Sequence, residues 1–174
     1  MTKDVFVVLA EYNREANEKM NGFIGDLNDE EWNREFKGYF PSIRSLCSHL
    51  YICDFNWLKR FGGVKEYTVL NDPLFAETLN YDMLLFPGRD EYFAKRPVLD
   101  EKLIDLIGET EDAELSKILT YTDSRGTAVE KKFQAPLLQM FNHQTHHRAM
   151  ISLYLEFLGR PNDFSAILPV MRDM

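Results

Sequence analysis

Apolar residues recur every three or four positions along most of this chain, which places them on one face of an α-helix. This spacing predicts a first helix over residues 3 to about 25 and a second over Pro41 to Phe61, with proline at its first position. It also predicts a third helix from about Leu99 to Glu111 and a last long helix from about Ala135 to Leu158. Because each apolar stripe must be buried, the helices are expected to pack together as a bundle.

The segments between these helices carry different signals. Residues 28–31 have the spacing of a capping box and predict a short helical turn around Trp32. Prolines and glycine interrupt the periodicity over residues 64–97, which predicts a long crossover with short helical pieces at Phe75–Leu79 and Arg89–Ala94.

A change of period precedes the last helix. Strand-forming residues at 118–121 and 127–133 flank the turn Asp123-Ser124-Arg125-Gly126 and predict a small β-hairpin. The sequence therefore predicts one all-α domain over residues 1–174: an antiparallel four-helix bundle with a long crossover and a small β-hairpin before the last long helix.

Composition excludes several classes of partner. The formal charge of −8 argues against nucleic acid, whose binding needs clustered Lys and Arg. No segment has the unbroken apolar length of a membrane span, so no membrane partner is expected. The N-terminus carries Asp4 where a signal peptide would have a basic and then apolar run, and a cytoplasmic location is expected.

The two cysteines, Cys47 and Cys53, lie six residues apart on the predicted second helix and point to different sides. They are therefore not expected to form a disulfide, which fits a reducing compartment. Cys47 falls on the apolar stripe as a small core residue. Cys53 lies one turn after His49 and can face the same cavity, but no Cys-His zinc spacing surrounds it, so no ligand role is predicted.

Two histidines interrupt the apolar stripe of the last helix. His143 and His147 are four residues apart and lie one above the other on a face otherwise built from Leu137, Met140, Ile151 and Leu158. Imidazoles buried there need polar partners, and a metal ion is one such partner.

The isolated His49, at the edge of the second helix's stripe, completes a set of three. Three nitrogen ligands from two helices are the ligand count of a catalytic zinc site, and the alternative is three hydrogen-bonded core histidines. His146 points away from the line of His143 and His147 and is expected at the surface. Gln144 occupies the place where a zinc protease carries its glutamate base, so that class is excluded.

These residues occur within four longer motifs. They are Tyr12-Asn13-Arg14-Glu15-Ala16-Asn17, His49 with Asp54 and Trp57-Leu58, the hairpin run Tyr121 to Gly126, and His143-Gln144-Thr145-His146-His147-Arg148. With them the chain resembles, over nearly its whole length, the DinB/YfiT-like family of four-helix-bundle metalloenzymes. The resemblance implies a divalent metal ion held by His49, His143 and His147. Zinc or nickel is expected first, and iron or manganese also suits three histidines.

The resemblance also implies a class of reaction. Relatives include low-molecular-weight-thiol S-transferases and a thiol-dependent isomerase, which implies a metal-dependent transferase that moves a small thiol to an electrophilic small-molecule substrate. Two alternatives stay open: a non-catalytic dimeric metal-binding stress protein and a metal-dependent hydrolase. The family also implies a homodimer, for which Tyr12, Phe23 and Phe157 are candidate surplus aromatic residues.

Other polar residues on the predicted helices have two interpretations each. Asp54 either orients an imidazole of the metal site or makes a buried structural hydrogen bond. Asn13 and Asn17 either tie the first helix to its neighbours or line a pocket, and Arg148 either forms a structural salt bridge or binds substrate.

Overall fold

The computed structural model describes residues 1–171 and is mostly helical, as predicted. Its helices are α1 (Lys3–Gly25), α2 (Asp29–Asn33), α3 (Ile43–Phe61), α4 (Arg89–Glu109) and α5 (Gln134–Phe157). Short 3-10 turns lie at Thr68–Asn71, Pro73–Ala76 and Asp112–Ser116, and the hairpin consists of β1 (Ile118–Thr122) and β2 (Ala128–Lys132). Both α1 and α3 pack against α4 and α5, so the four long helices enclose one core. None of the helices over residues 1–171 is long and apolar enough to cross a membrane.

The start of α3 is set by a capping box rather than by Pro41. The Ser42 hydroxyl accepts from the Ser45 backbone N–H at 3.1 Å, and the Ser42 backbone N–H donates to the Ser45 hydroxyl at 2.9 Å. These bonds satisfy two of the free N–H groups at the helix start. The helix therefore begins at Ile43, two residues later than predicted.

The predicted interruption near Pro97 is wrong, because α4 is continuous through that residue. Proline removes one hydrogen bond inside the helix and costs about 3 kcal/mol. Helical spacing nevertheless places a continuous buried stripe on α4, consisting of Tyr92, Arg96, Leu99, Leu103 and Leu106. The predicted pieces Arg89–Ala94 and Leu99–Glu111 are thus one helix, and its buried position Arg96 is charged.

The hairpin is an antiparallel pair in which Ile118 is opposite Lys132 and Tyr121 is opposite Val129. At its turn, one carboxylate oxygen of Asp123 accepts from the backbone N–H groups of Arg125 at 2.8 Å and Thr127 at 2.9 Å. Leu119 is fully buried in the core and anchors the hairpin to the helices. A two-stranded sheet needs such packing to be stable, and here it is held beside the end of α3.

The C-terminal segment covers part of α1. The Tyr12 hydroxyl donates to the Ser165 carbonyl oxygen at 3.1 Å, and the ring of Phe23 lies 6.3 Å from that of Phe164. Two of the aromatic residues expected to be surplus are therefore used within the chain. Phe157 remains 62% exposed on α5.

Candidate metal centre

The side chains of His49, His143 and His147 meet between α3 and α5, and we call these three residues the histidine cluster. His143 Nε2 lies 3.0 Å from His49 Nε2 and 3.0 Å from His147 Nε2. Four-residue spacing on α5 stacks two of the rings, and the packing of α3 against α5 supplies the third. The structure thus brings together the three residues selected from the sequence.

Hydrogen bonds alone do not account for this contact. An imidazole nitrogen has one in-plane position, which holds either a proton or a lone pair, so His143 Nε2 cannot hydrogen-bond to both neighbours. Metal–nitrogen bonds of about 2.0–2.1 Å place neighbouring ligand nitrogens roughly 2.8–3.4 Å apart at octahedral to tetrahedral angles. The 3.0 Å separations lie in that range, and the donor set fits a divalent transition metal.

The protonation state of the cluster also suits a metal. Burial lowers the pKa of His49 to about 4 and that of His147 to about 3, and it also lowers the pKa of His143. The three rings are therefore neutral at pH 7, the form that binds metals. The Nδ1 atoms of His143 and His147 are buried with no hydrogen-bond partner among residues 1–171.

A fourth potential ligand, which the sequence did not predict, is Cys53. Its sulfur lies 3.5 Å from His49 Nε2, and ligand atoms of His49, Cys53 and His143 lie within 4.8 Å of one another. This group of ligand types and distances can hold a metal ion. The sequence placed Cys53 one turn after His49, but it did not show that His143 of α5 lies close to the same sulfur. The remaining histidine, His146, is exposed on α5.

Next to the histidine cluster, buried charges and amides link all four long helices. We call this group the charged network: Asn13, Asn17, Asp54, Arg96, Asp100, Gln144 and Arg148. Arg96 donates to Asp54 Oδ2 at 2.8 Å and to the two oxygens of Asp100 at 2.6 and 3.1 Å. Asn13 and Asn17 donate to Asp100 Oδ1 at 3.2 and 2.9 Å.

The other half of the network lies on α5. Arg148 donates to the side-chain oxygens of Asn13, Asn17 and Gln144, and its guanidinium lies 5.3 Å from the ring centre of Tyr12. Within the described chain its partners are amides and a hydroxyl rather than a carboxylate, so the predicted salt bridge of Arg148 is not found. The two asparagines tie α1 to its neighbours, the simpler of their two interpretations.

Asp54 joins the two halves of the charged network, because its Oδ2 also accepts from Gln144 Nε2. Within residues 1–171, the hydrogen-bond donors to Asp54 are Arg96 and Gln144 and not an imidazole. This supports a buried structural hydrogen bond rather than the orientation of a histidine. Arg96, Asp100 and Gln144 were not selected from the sequence. Their roles depend on contacts between helices, which spacing along one helix does not reveal.

A cleft of about 440 Å³ opens beside the histidine cluster. His49, Cys53 and His143 lie at one side of it, and the walls are largely aromatic: Tyr39, Phe40, Trp57, Tyr81 and Tyr121. Arg60 also lines the cleft; its guanidinium lies 5.0 Å from the centre of the Trp57 ring and donates to the Thr122 carbonyl at 3.0 Å. The hairpin thus helps to form the wall of the cleft.

Phe40, one of the residues that line the cleft, also packs directly against the histidine cluster. Its ring centre lies 4.4 Å from that of His49 and 5.2 Å from that of His147. The Tyr154 hydroxyl donates to the Phe40 carbonyl at 2.8 Å and fixes this segment. Gly38 allows the close approach, because a Cβ at this position would collide with the Tyr154 hydroxyl.

Comparison with known proteins agrees with the family resemblance found in the sequence. The model of the DinB family matches residues 1–165. Protein DinB of Bacillus subtilis (strain 168) is 26% identical over 165 residues, which cover 92% of this chain and 91% of that protein.

Proposed function

This chain belongs to the DinB family, and on that premise we propose that it is a metal-dependent enzyme that transfers a small thiol to an electrophilic substrate. In this proposal His49, His143 and His147 hold one divalent metal ion. The observation that carries it is the convergence of three neutral imidazoles, with Nε2 separations of 3.0 Å, beside an open cleft. Three protein ligands leave a position for a further group, as in catalytic rather than structural sites.

A divalent metal bound there would lower the pKa of a coordinated thiol and so supply a nucleophilic thiolate near neutral pH. The chain's own residues provide position and surroundings. Aromatic side chains in the cleft bind the apolar part of a small molecule and exclude water. Arg60, held by the Thr122 carbonyl and stacked on Trp57, supplies a fixed positive charge for an anionic group. Phe40, which lines the cleft and packs against His49 and His147, limits access to these two imidazoles.

Zinc and nickel are the first candidates for the native ion, because imidazole binds both and thiolate chemistry favours a soft or borderline metal. Iron and manganese remain compatible with three histidines. We also propose a cytoplasmic location, since neither Cys47 nor Cys53 forms a disulfide. A second copy of the chain is expected to pack against the exposed apolar residues Leu138, Leu153 and Phe157 of α5.

The proposal is tested by turnover. Protein loaded with zinc or nickel is incubated with a panel of low-molecular-weight thiols and electrophiles, and products are followed by mass spectrometry. We expect a thioether product that needs both metal and thiol, absent with His143→Ala and present with the matched control His146→Ala. Turnover without added thiol would favour a metal-dependent hydrolase. Metal binding without turnover of any pair would favour the non-catalytic stress protein.

A further inference from the structure

We propose that Cys53 is itself a metal ligand and that its thiolate takes the coordination position that faces the cleft. This inference rests on the proposed function, because it requires a metal at the histidine cluster. It goes beyond the three-histidine site by giving this chain a fourth ligand, a sulfur, from the same two helices.

The position of the Cys53 sulfur beside His49 is the first observation that supports this proposal. Cys53 is 7% exposed and lies one helical turn after His49, so both side chains leave α3 on the same face. A metal–sulfur bond of about 2.3 Å and a metal–nitrogen bond of about 2.0–2.1 Å place the two ligand atoms roughly 3.1–3.6 Å apart. The observed distance from Cys53 Sγ to His49 Nε2 is 3.5 Å, and that to Nδ1 of the same ring is 3.7 Å. The sulfur thus lies beside the His49 ring, and it has to shift towards the Nε2 side when it binds the metal.

The sulfur lies near several nitrogen atoms that can bind a metal. His143 Nε2 lies 3.0 Å from two other imidazole nitrogens and can hydrogen-bond to only one of them, so a metal ion fits this point independently of the cysteine. Ligand atoms of His49, Cys53 and His143 lie within 4.8 Å of one another. The sulfur is therefore next to a group of nitrogen donors that fits a metal cation.

The cleft opens on the same side of the histidine cluster as Cys53. His49, Cys53 and His143 line it, whereas His147 is not among its lining residues. Cys53 consequently lies on the side from which a substrate would approach the three imidazoles. When Cys53 binds the metal its thiol proton is released to solvent, and a substrate that binds the metal has to displace the sulfur. A thiolate among the ligands also favours zinc over manganese or magnesium.

The chain supplies a matched control in Cys47. It is the other free cysteine and is fully buried on the same helix, but it lies in the core next to Tyr92 rather than at the cleft. A sulfur signal that comes from the metal centre should therefore depend on Cys53 and not on Cys47.

The test is the absorption spectrum of the cobalt-substituted protein in thiol-free buffer. Wild type and Cys47→Ser should both show the intense near-ultraviolet sulfur-to-cobalt charge-transfer band. Cys53→Ser should lose this band while still binding one cobalt per chain. In Cys53→Ala, where the position is left open to the cleft, added 2-mercaptoethanol should restore the band.

Each other result counts against the proposal. Wild type that binds cobalt without the band shows that Cys53 is not a ligand, and it leaves the histidine site intact. The same conclusion follows if the band persists in Cys53→Ser. If the added thiol fails to restore the band in Cys53→Ala, the position left by the sulfur is not open to the cleft, which contradicts the second part of the proposal. Wild type that binds no cobalt at all overturns the proposed function as well. The wild-type spectrum alone can refute the assignment of Cys53 as a ligand, so the test does not depend on the correct folding of any variant.

Discussion

Two groups of buried polar side chains lie side by side in this bundle, and they differ in how their hydrogen bonds are satisfied. In the charged network, Arg96 lies between two carboxylates, and Asp100 receives two further amide donors. In the histidine cluster, Nδ1 of His143 and of His147 has no partner within residues 1–171, and their Nε2 atoms lie 3.0 Å apart. The difference teaches that, within residues 1–171, the network satisfies its own polar atoms except Asp54 Oδ1, whereas the histidine cluster presents neutral nitrogen donors that fit an added metal ion.

The largest expected effect comes from breaking the charged network. Arg96→Leu leaves the carboxylates of Asp54 and Asp100 buried without their cation, and removing one partner of a buried ion pair costs about 3–5 kcal/mol. Urea unfolding should therefore show a loss of that size. Arg14→Leu, which breaks the exposed pair with Glu101, is the control and should cost less than about 1 kcal/mol. Equal losses for the two variants would show that burial does not distinguish these pairs.

The histidine cluster should respond to a ligand instead. A metal that binds only the folded state adds about 2.7 kcal/mol to the free energy of unfolding when its free concentration is 100 times its dissociation constant. Wild type and His146→Ala should gain this stability in zinc, measured as a rise in Tm. His147→Ala should gain little at the same concentration. If it gained as much as wild type, His147 would not be a ligand.

A smaller effect is expected where the cluster is covered by Phe40. In Gly38→Ala the new Cβ collides with the Tyr154 hydroxyl, so either the Tyr154 side chain or the segment that carries Phe40 must move, and the hydrogen bond between them is disturbed. We expect a loss of about 1–3 kcal/mol, the usual range for overpacking, together with weaker metal binding. The control is Gly22→Ala in α1, where a Cβ meets nothing within 4 Å. It should stabilise the protein by roughly 0.5–1 kcal/mol.

The last effect concerns pH, to which buried histidines and a buried carboxyl contribute in opposite senses. Because burial lowers the pKa of His49 to about 4 and of His147 to about 3, the unfolded chain binds more protons than the folded one below the ordinary histidine value of 6.5. Metal-free protein should therefore lose stability as the pH falls from 6.5 towards 4. Burial raises the pKa of Asp100 to about 6, which acts in the opposite sense, so variants must be compared.

The comparison that isolates the histidines is between wild type and His147→Leu, which lacks one of the depressed groups. We expect its stability to depend less steeply on pH between 6.5 and 4, as measured by urea unfolding of the metal-free proteins. An unchanged pH dependence would mean that His147 is not buried as a neutral imidazole.

The sequence was sufficient where a feature depends on spacing along one helix. Periodicity located the long helices, and four-residue spacing selected His143 and His147, which the structure brings together with His49. It was insufficient where a residue's partner lies on another helix. Pro97 was interpreted as a break between the helical piece Arg89–Ala94 and the helix from Leu99, yet α4 is continuous and Arg96 is buried between two carboxylates.

Cys53 was underestimated for a related reason. Zinc motifs are recognised by spacing within one segment, and nothing in α3 alone shows that His143 of α5 lies within reach of its sulfur. The same holds for Gln144, whose hydrogen bond to Asp54 joins α5 to α3.

The most direct test of the metal centre is the number of metal ions bound per chain, measured by elemental analysis after dialysis against zinc or nickel. The three-ligand site predicts about one ion for wild type and about one for His146→Ala, and none tightly bound for His143→Ala. His143 is the decisive position because its Nε2 contacts both other imidazoles at 3.0 Å. Full occupancy with unchanged affinity in His143→Ala would contradict the account.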